Sequence, residues 1–194
     1  MKKCEDELIK IVVVNGIGGC GKTTFQQQCI ELARPIPVSI VSSIDYVKEI
    51  ALKCGWQKGS KTEKDRKNLH QLKTLMEDWN PTLIHEKVLG AIAHISYTLY
   101  GFNGKPKLFF VDIREPYNIE NFKKYCEENK YCCITLLIKR DGYISTEPKE
   151  IVDEIENYDY DYVVYNDGDI VKLAEHADVF LQEILKDFYK PIDK

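Results

Sequence analysis

The sequence has no apolar run approaching about 20 residues, so nothing in it reads as a membrane span. It also has no basic excess: 27 Lys and Arg stand against 31 Asp and Glu, a net charge of −4. That balance argues against broad electrostatic binding of nucleic acid. No C-x-x-C pair occurs among the seven cysteines (4, 20, 29, 54, 126, 132, 133), and no His/Cys spacing of the zinc type appears. The opening MKKCEDELIK carries no apolar core of signal-peptide length. With an odd cysteine count, this predicts a cytoplasmic protein without a disulfide framework, its cysteines acting as small buried hydrophobes. The four histidines (70, 85, 94, 176) sit in helical patterns without a nucleophile beside them, and read as structural or solvent-facing. Internal repeats and low-complexity tracts are absent too.

What is present is alternation. Short apolar runs near 9–14, 38–42, 107–111, 132–138 and 161–165 are separated by segments of helical period. Nearly continuous apolar runs between amphipathic helices predict a buried, mostly parallel five-stranded sheet in an α/β fold, with the site at the carboxyl ends of the strands. The 194 residues are enough for one domain, 1–194. Two stretches interrupt the alternation. Residues 44–101 predict a helical insertion, with Leu69, Leu72, Leu75, Met76 and Trp79 forming one apolar face and Asn80-Pro81 dividing two helices. Residues 140–157, polar and acidic, predict a lid-like segment. The insertion helices are apolar enough to bury a core or a second copy of the chain, so a homodimer stays open.

The most specific signal follows the first apolar run. NGIGGCGKTT holds Gly16 and Gly21-Lys22-Thr23 in the spacing G-x-x-x-x-G-K-T. Glycines let successive backbone N–H groups point at phosphate oxygens, and a helix starting near Lys22 adds the positive end of its dipole. The pattern predicts ATP binding by Gly16, Gly18, Gly19, Cys20, Gly21, Lys22, Thr23 and Thr24. Lys22 would reach the β- and γ-phosphates, and the Thr23 hydroxyl would ligate Mg2+. Cys20, inside the loop, is either a tolerated small residue or a thiol whose oxidation would block the site.

Other candidates fall at strand ends. Asp112 in VDIREP is positioned to hold Mg2+ or orient an acceptor, and Arg114 has the fork geometry for an acceptor phosphate. Ser43 and Asp45 either contact the acceptor or cap the following helix. Arg66 lies in a charge run that reads as an acceptor-phosphate contact or a solvated face. Arg140, beside Lys139, would neutralise charge developing on the transferred group. Asn166 and Gly168 either face the adenine or simply make a turn.

These motifs together resemble the P-loop nucleoside-monophosphate-kinase-like group, notably phage-type deoxynucleoside monophosphate kinases and animal-type phosphomevalonate kinases. The resemblance rests on NGIGGCGKTT, SSIDYVK, VDIREP, LLIKR and NYDYDYVVYNDG and runs over roughly residues 9–186. It implies a three-layer P-loop fold and transfer of the γ-phosphoryl group from ATP, with Mg2+, to a small phosphorylated acceptor, a (deoxy)nucleoside monophosphate first. It also matches Asp112 to the strand-end acid, Arg114 to the acceptor-phosphate arginine, Lys139-Arg140 to the basic pair at the lid entrance, and Asn166 to Gly168 to the loop beside the adenine. The chain departs at Glu115, where the animal phosphomevalonate kinases carry a second arginine, and in a lid whose only base after Arg140 is Lys149 before Tyr158. Alternative acceptors are mevalonate phosphate and dephospho-coenzyme A. The reading from another class is an ATP-binding switch or ATPase, although the guanine-reading N-K-x-D pattern is absent, since Tyr131-Cys132 follow Asn129-Lys130.

Overall fold

Runs dominated by β-branched and aromatic residues become five strands: β1 (Ile9–Asn15), β2 (Val38–Ser42), β3 (Lys107–Asp112), β4 (Cys132–Lys139) and β5 (Tyr162–Tyr165). The structure, a computed structural model, describes residues 8–57, 59, 62–99, 106–143 and 148–186. Every strand pairing is parallel, in the order β2-β3-β1-β4-β5. The central strands are covered on both faces: Ile11, Val12 and Val13 of β1 and Leu108, Phe109, Phe110 and Val111 of β3 are all 0% exposed. A parallel sheet requires that cover, because its crossovers lay helices on both sides.

Among the described residues seven helices make the outer layers: α1 (Lys22–Leu32), α2 (Asp45–Lys53), α3 (Glu63–Trp79), α4 (Leu83–Thr98), α5 (Pro116–Glu128), α6 (Lys149–Asn157) and α7 (Ile170–Leu185). The chain moves one way along the sheet from β1 to β2 and the other way for every later strand. Right-handed crossovers then put α1 on one face and α4, α5 and α6 on the opposite one. On the first face α1 packs on α7, where Phe25 meets Phe180 edge-on at 5.7 Å between ring centroids. On the second, His85 of α4 lies 5.7 Å from the ring of Phe122 in α5.

The expected insertion is helices α2, α3 and α4. They share a small core of Val47, Met76 and Ile84 beside the main one. The apolar face predicted for α3 is corrected in two places. Met76 is buried and Leu69 and Leu72 pack partly against it, but Leu75 and Trp79 are exposed, at 44% and 77%. The buried stripe passes through Lys73, which is 5% exposed, and at 100° per residue that rotation carries positions 75 and 79 off the face. The second half of the expected lid is the anchored helix α6: Ile155 is 1% exposed, and Glu156 pairs with Lys139 at 2.9 Å. Residues 144–147 of that segment lie outside the described ones.

The cysteines also require a correction. Cys132 is disulfide-bonded, whereas Cys20, Cys29, Cys54, Cys126 and Cys133 form no disulfide, and Cys54 is exposed. Among the described residues no helix is long and apolar enough to cross a membrane.

Replacing Phe25 by Ala removes a fully buried ring where α1 meets α7. Urea unfolding should show a loss of about 3–4 kcal/mol, and a loss below about 1 kcal/mol would show that this contact does not hold the α1 layer.

Candidate functional site

The phosphate loop begins where β1 ends. Asn15 is 1% exposed and uses its side chain in both directions. Its Oδ1 accepts from the Gly16 N–H at 2.8 Å, and its Nδ2 donates to the Arg114 carbonyl at 2.7 Å and to the Tyr160 hydroxyl at 2.8 Å. One amide therefore ties the first loop residue to the exit of β3. Gly16 has φ 141°, and a β-carbon there would run into the Ile138 carbonyl and stand 2.7 Å from Cys20 Sγ. Gly21, at φ 102°, opens α1, and a β-carbon there would strike the Asn166 side-chain amide. These two positions require glycine for conformation and for space.

Lys22 folds back over the loop. Its Nζ donates to the Gly16 carbonyl and, at 3.1 Å, to the Ile17 carbonyl, and lies 3.9 Å from Cys20 Sγ. Gly18 and Gly19 are exposed at the crest, while Thr23 and Thr24 are exposed on the first turn of α1. Cys20 is 0% exposed, and its carbonyl accepts from Asn166 Nδ2 at 2.9 Å. The Asn166 backbone N–H donates to the Lys139 carbonyl at 2.7 Å. Asn166 thus braces the loop against β4, and Gly168 follows, exposed, just before α7. Tyr143 lies so near Gly19 that a β-carbon there would meet its hydroxyl, and the Arg140 guanidinium stands 5.6 Å from the centroid of the Tyr143 ring.

A cleft of about 370 Å³ opens beside the loop. It collects Gly16, Gly18 and Lys22 from the loop, Ser43 after β2, Arg66 from α3, and Asp112 and Arg114 from the end of β3. Ser43 is pinned there, its N–H donating to the Asp112 carbonyl at 3.1 Å. A capping box between Thr62 and Asp65 sets the start of α3 and places Arg66 in its first turn. Other predicted residues do not line this cleft. The Asp45 carboxylate accepts from the Ser42 N–H at 3.0 Å and from Lys48 Nζ at 3.3 Å, and lines a neighbouring cavity. Thr23, Thr24, Arg140, Asn166 and Gly168 lie around the loop, outside the cleft wall.

Asp112 is half-buried, and Gln26 Nε2 donates to its Oδ1 at 2.7 Å. Burial pushes its carboxyl above the ordinary aspartate range, and the Gln26 bond and the Lys22 charge offset only part of that rise. A carboxylate and a hydroxyl are the hard oxygen donors that Mg2+ takes, so Asp112 and Thr23 fit that ion by donor chemistry.

Sequence reasoning missed three ionisable lining residues: His70, Lys73 and Glu115. Arg66, Leu69, His70 and Lys73 follow the spacing i, i+3, i+4, i+7, which was the available signal that one face of α3 looks into the site. Lys73 Nζ contacts Glu115 Oε2 at 2.6 Å and Glu77 Oε1 at 3.8 Å. Burial raises the Glu115 carboxyl, but the charge and hydrogen bond of Lys73, with a further bond from Asn118, outweigh it and hold it below the ordinary glutamate range. Gln26 and Asn15 were also missed as supports of the site.

No family model matches the chain, and no curated protein matches it. Solved structures do. The chain is similar to a dephospho-CoA kinase from Campylobacter jejuni, at 19% identity and a TM-score of 0.51, over 92% of this chain and 98% of that one. It is also similar to the tunicamycin resistance protein of Deinococcus radiodurans, at 12% identity and a TM-score of 0.55, over 89% and 95% of the two chains. At these identities the likeness shows the fold, a three-layer P-loop α/β domain.

The Glu115–Lys73 pair has a signed pH dependence. A carboxyl held below its unfolded-state value contributes stability above that value, and loses it as pH falls through the folded one. Glu115→Gln should therefore cost about 1 kcal/mol at pH 7, because solvent screens a carboxylate that is 36% exposed, and should flatten the acid limb of stability below about pH 5 in urea titrations. Acid limbs of equal slope would show that the pair does not act this way.

Proposed function

We propose that the chain is an ATP-dependent phosphotransferase that moves the γ-phosphoryl group onto a small phosphorylated acceptor, with a (deoxy)nucleoside monophosphate as the preferred class. One observation carries the reading: a single cleft joins the phosphate loop and Lys22 to two guanidinium side chains, Arg66 and Arg114, across Asp112. The loop end suits a triphosphate, and the arginine end suits a second phosphate group. The likeness in fold to a dephospho-CoA kinase supports phosphoryl transfer from ATP and leaves the acceptor to the cleft's own residues.

In the proposed reaction an oxygen of the acceptor phosphate attacks the γ-phosphorus. The bond from that phosphorus to the β–γ bridging oxygen breaks, and ADP leaves with the electron pair. The dianionic acceptor needs no general base, so the protein contributes position and charge. Backbone N–H groups of the loop beyond Gly16, whose own N–H is held by Asn15, cradle the phosphates. Lys22 leaves the loop carbonyls for the β- and γ-oxygens, and Arg114 with Arg66 orients the acceptor phosphate. Arg140 approaches from the Tyr143 side as charge develops, and the Asn166–Gly168 loop borders the base. Thr23 and Asp112 would hold Mg2+, which supplies charge neutralisation between the β- and γ-phosphates.

The test is ADP release from ATP with Mg2+, measured with each ribo- and deoxynucleoside monophosphate and with mevalonate phosphate. Stimulation by one or a few nucleotides is expected, and acceptor-independent turnover would overturn the proposal. Lys22→Ala should abolish transfer. Arg114→Ala should raise the acceptor KM and lower kcat, by about 100-fold in kcat/KM, and unchanged constants would remove Arg114 from the site.

A further inference from the structure

The ion pair on the cleft wall is costly as a device for stability. Lys73 is 5% exposed, and a buried ammonium with a carboxylate partner is usually no better for stability than well-packed apolar residues. Its partner sits at an unusual place. Glu115 is the N-cap of α5, yet its side chain makes no capping hydrogen bond. The carboxylate instead turns to α3, where Lys73 Nζ donates to its Oε2 at 2.6 Å, while Asn118 Nδ2 donates to the same oxygen at 3.2 Å. Two donors on one oxygen fix the group's position while it lines the cleft next to Arg114.

We propose that Glu115 is the specificity-determining residue of the acceptor end, accepting a hydrogen bond from a hydroxyl or amino group of the acceptor and rejecting acceptors that carry a second anionic group. This rests on the reading of the cleft as a phosphoryl-acceptor site. Held as a carboxylate by Lys73, Glu115 is an acceptor only, so it pairs with O–H and N–H donors and with nothing anionic. Lys73 offers little to a second anion, since Glu115 and Glu77 already face it at 2.6 and 3.8 Å. Around that pair Ile44, Leu69 and Ile113 are apolar, which suits a flat or carbon-rich body. The acceptor class is thus a phosphate monoester on a neutral, donor-bearing body: a nucleoside monophosphate fits, and a monoester that also carries a carboxylate does not. A site built to accept from a substrate O–H or N–H discriminates strongly, because its polar group is otherwise left unpaired.

The experiment compares each nucleoside monophosphate with mevalonate phosphate, which bears a carboxylate, by kcat/KM and by acceptor Kd from calorimetry. The proteins are the wild type, Glu115→Gln, and a Lys73→Met/Glu115→Gln double variant that leaves no ammonium stranded. The wild type should favour at least one nucleotide over mevalonate phosphate by about 100-fold. Both variants should reduce that ratio to about tenfold or less, mainly through KM and Kd, with melting profiles showing a folded protein. An unchanged ratio in either folded variant overturns this inference and leaves phosphoryl transfer standing. A wild type that prefers mevalonate phosphate also overturns this inference alone. A wild type that binds none of these acceptors overturns it together with the proposed function.

Discussion

The start of the glycine loop and the exit of β3 are held together by one buried amide. Asn15 ends the central strand and is 1% exposed, so its side chain must find partners in the interior. It finds them on three segments: the first residue of the phosphate loop, the backbone of Arg114, and the hydroxyl of Tyr160. Burial pushes the Tyr160 phenol above its ordinary range, which keeps the hydroxyl neutral beside the amide. The strand order β2-β3-β1-β4-β5 makes this geometry available, because β1 has β3 on one side and β4 on the other. The loop after β1 therefore lies between the acid and arginine of β3 and the basic pair of β4. These bonds fix the first residue of the glycine loop against the backbone of Arg114 and the hydroxyl of Tyr160.

Electrostatics divide the cleft into two ends with different rules. At the loop end, Asp112 is desolvated by burial and steadied by Gln26, four residues beyond Lys22 on the same helix. The helix that opens at the glycine loop thus also orients the carboxylate opposite. At the far end, α3 brings Arg66, His70 and Lys73 down one face, and Glu115 answers the innermost of them. Burying charge there is tolerable because the partner is close and doubly bonded.

The fold was largely legible in the sequence because parallel strands, buried on both faces, leave short apolar runs that are hard to mistake. The five expected runs correspond to the five strands within a residue or two. The loop was legible because its glycines answer to backbone geometry, as Gly16 and Gly21 show. Residues whose roles come from tertiary contact were not. Lys73 looks like one base among many in KDRKNLHQLK, and Gln26 like an ordinary helix former; only the approach of α3 to the start of α5, and of α1 to the end of β3, gives them partners. The predicted stripe on α3 held at Leu69, Leu72 and Met76 but not at Leu75 and Trp79, which a buried lysine displaced from the apolar face. Cys132 entered a disulfide that count and composition argued against.

The central claim is that phosphate ends on an acceptor phosphate and not on water. The most direct measurement is phosphorus NMR of ATP and Mg2+ incubated with the protein and a nucleoside monophosphate. The account predicts new diphosphate resonances from the acceptor appearing in step with ADP. ADP accompanied only by inorganic phosphate, with the acceptor resonance intact for every nucleotide tried, would contradict it.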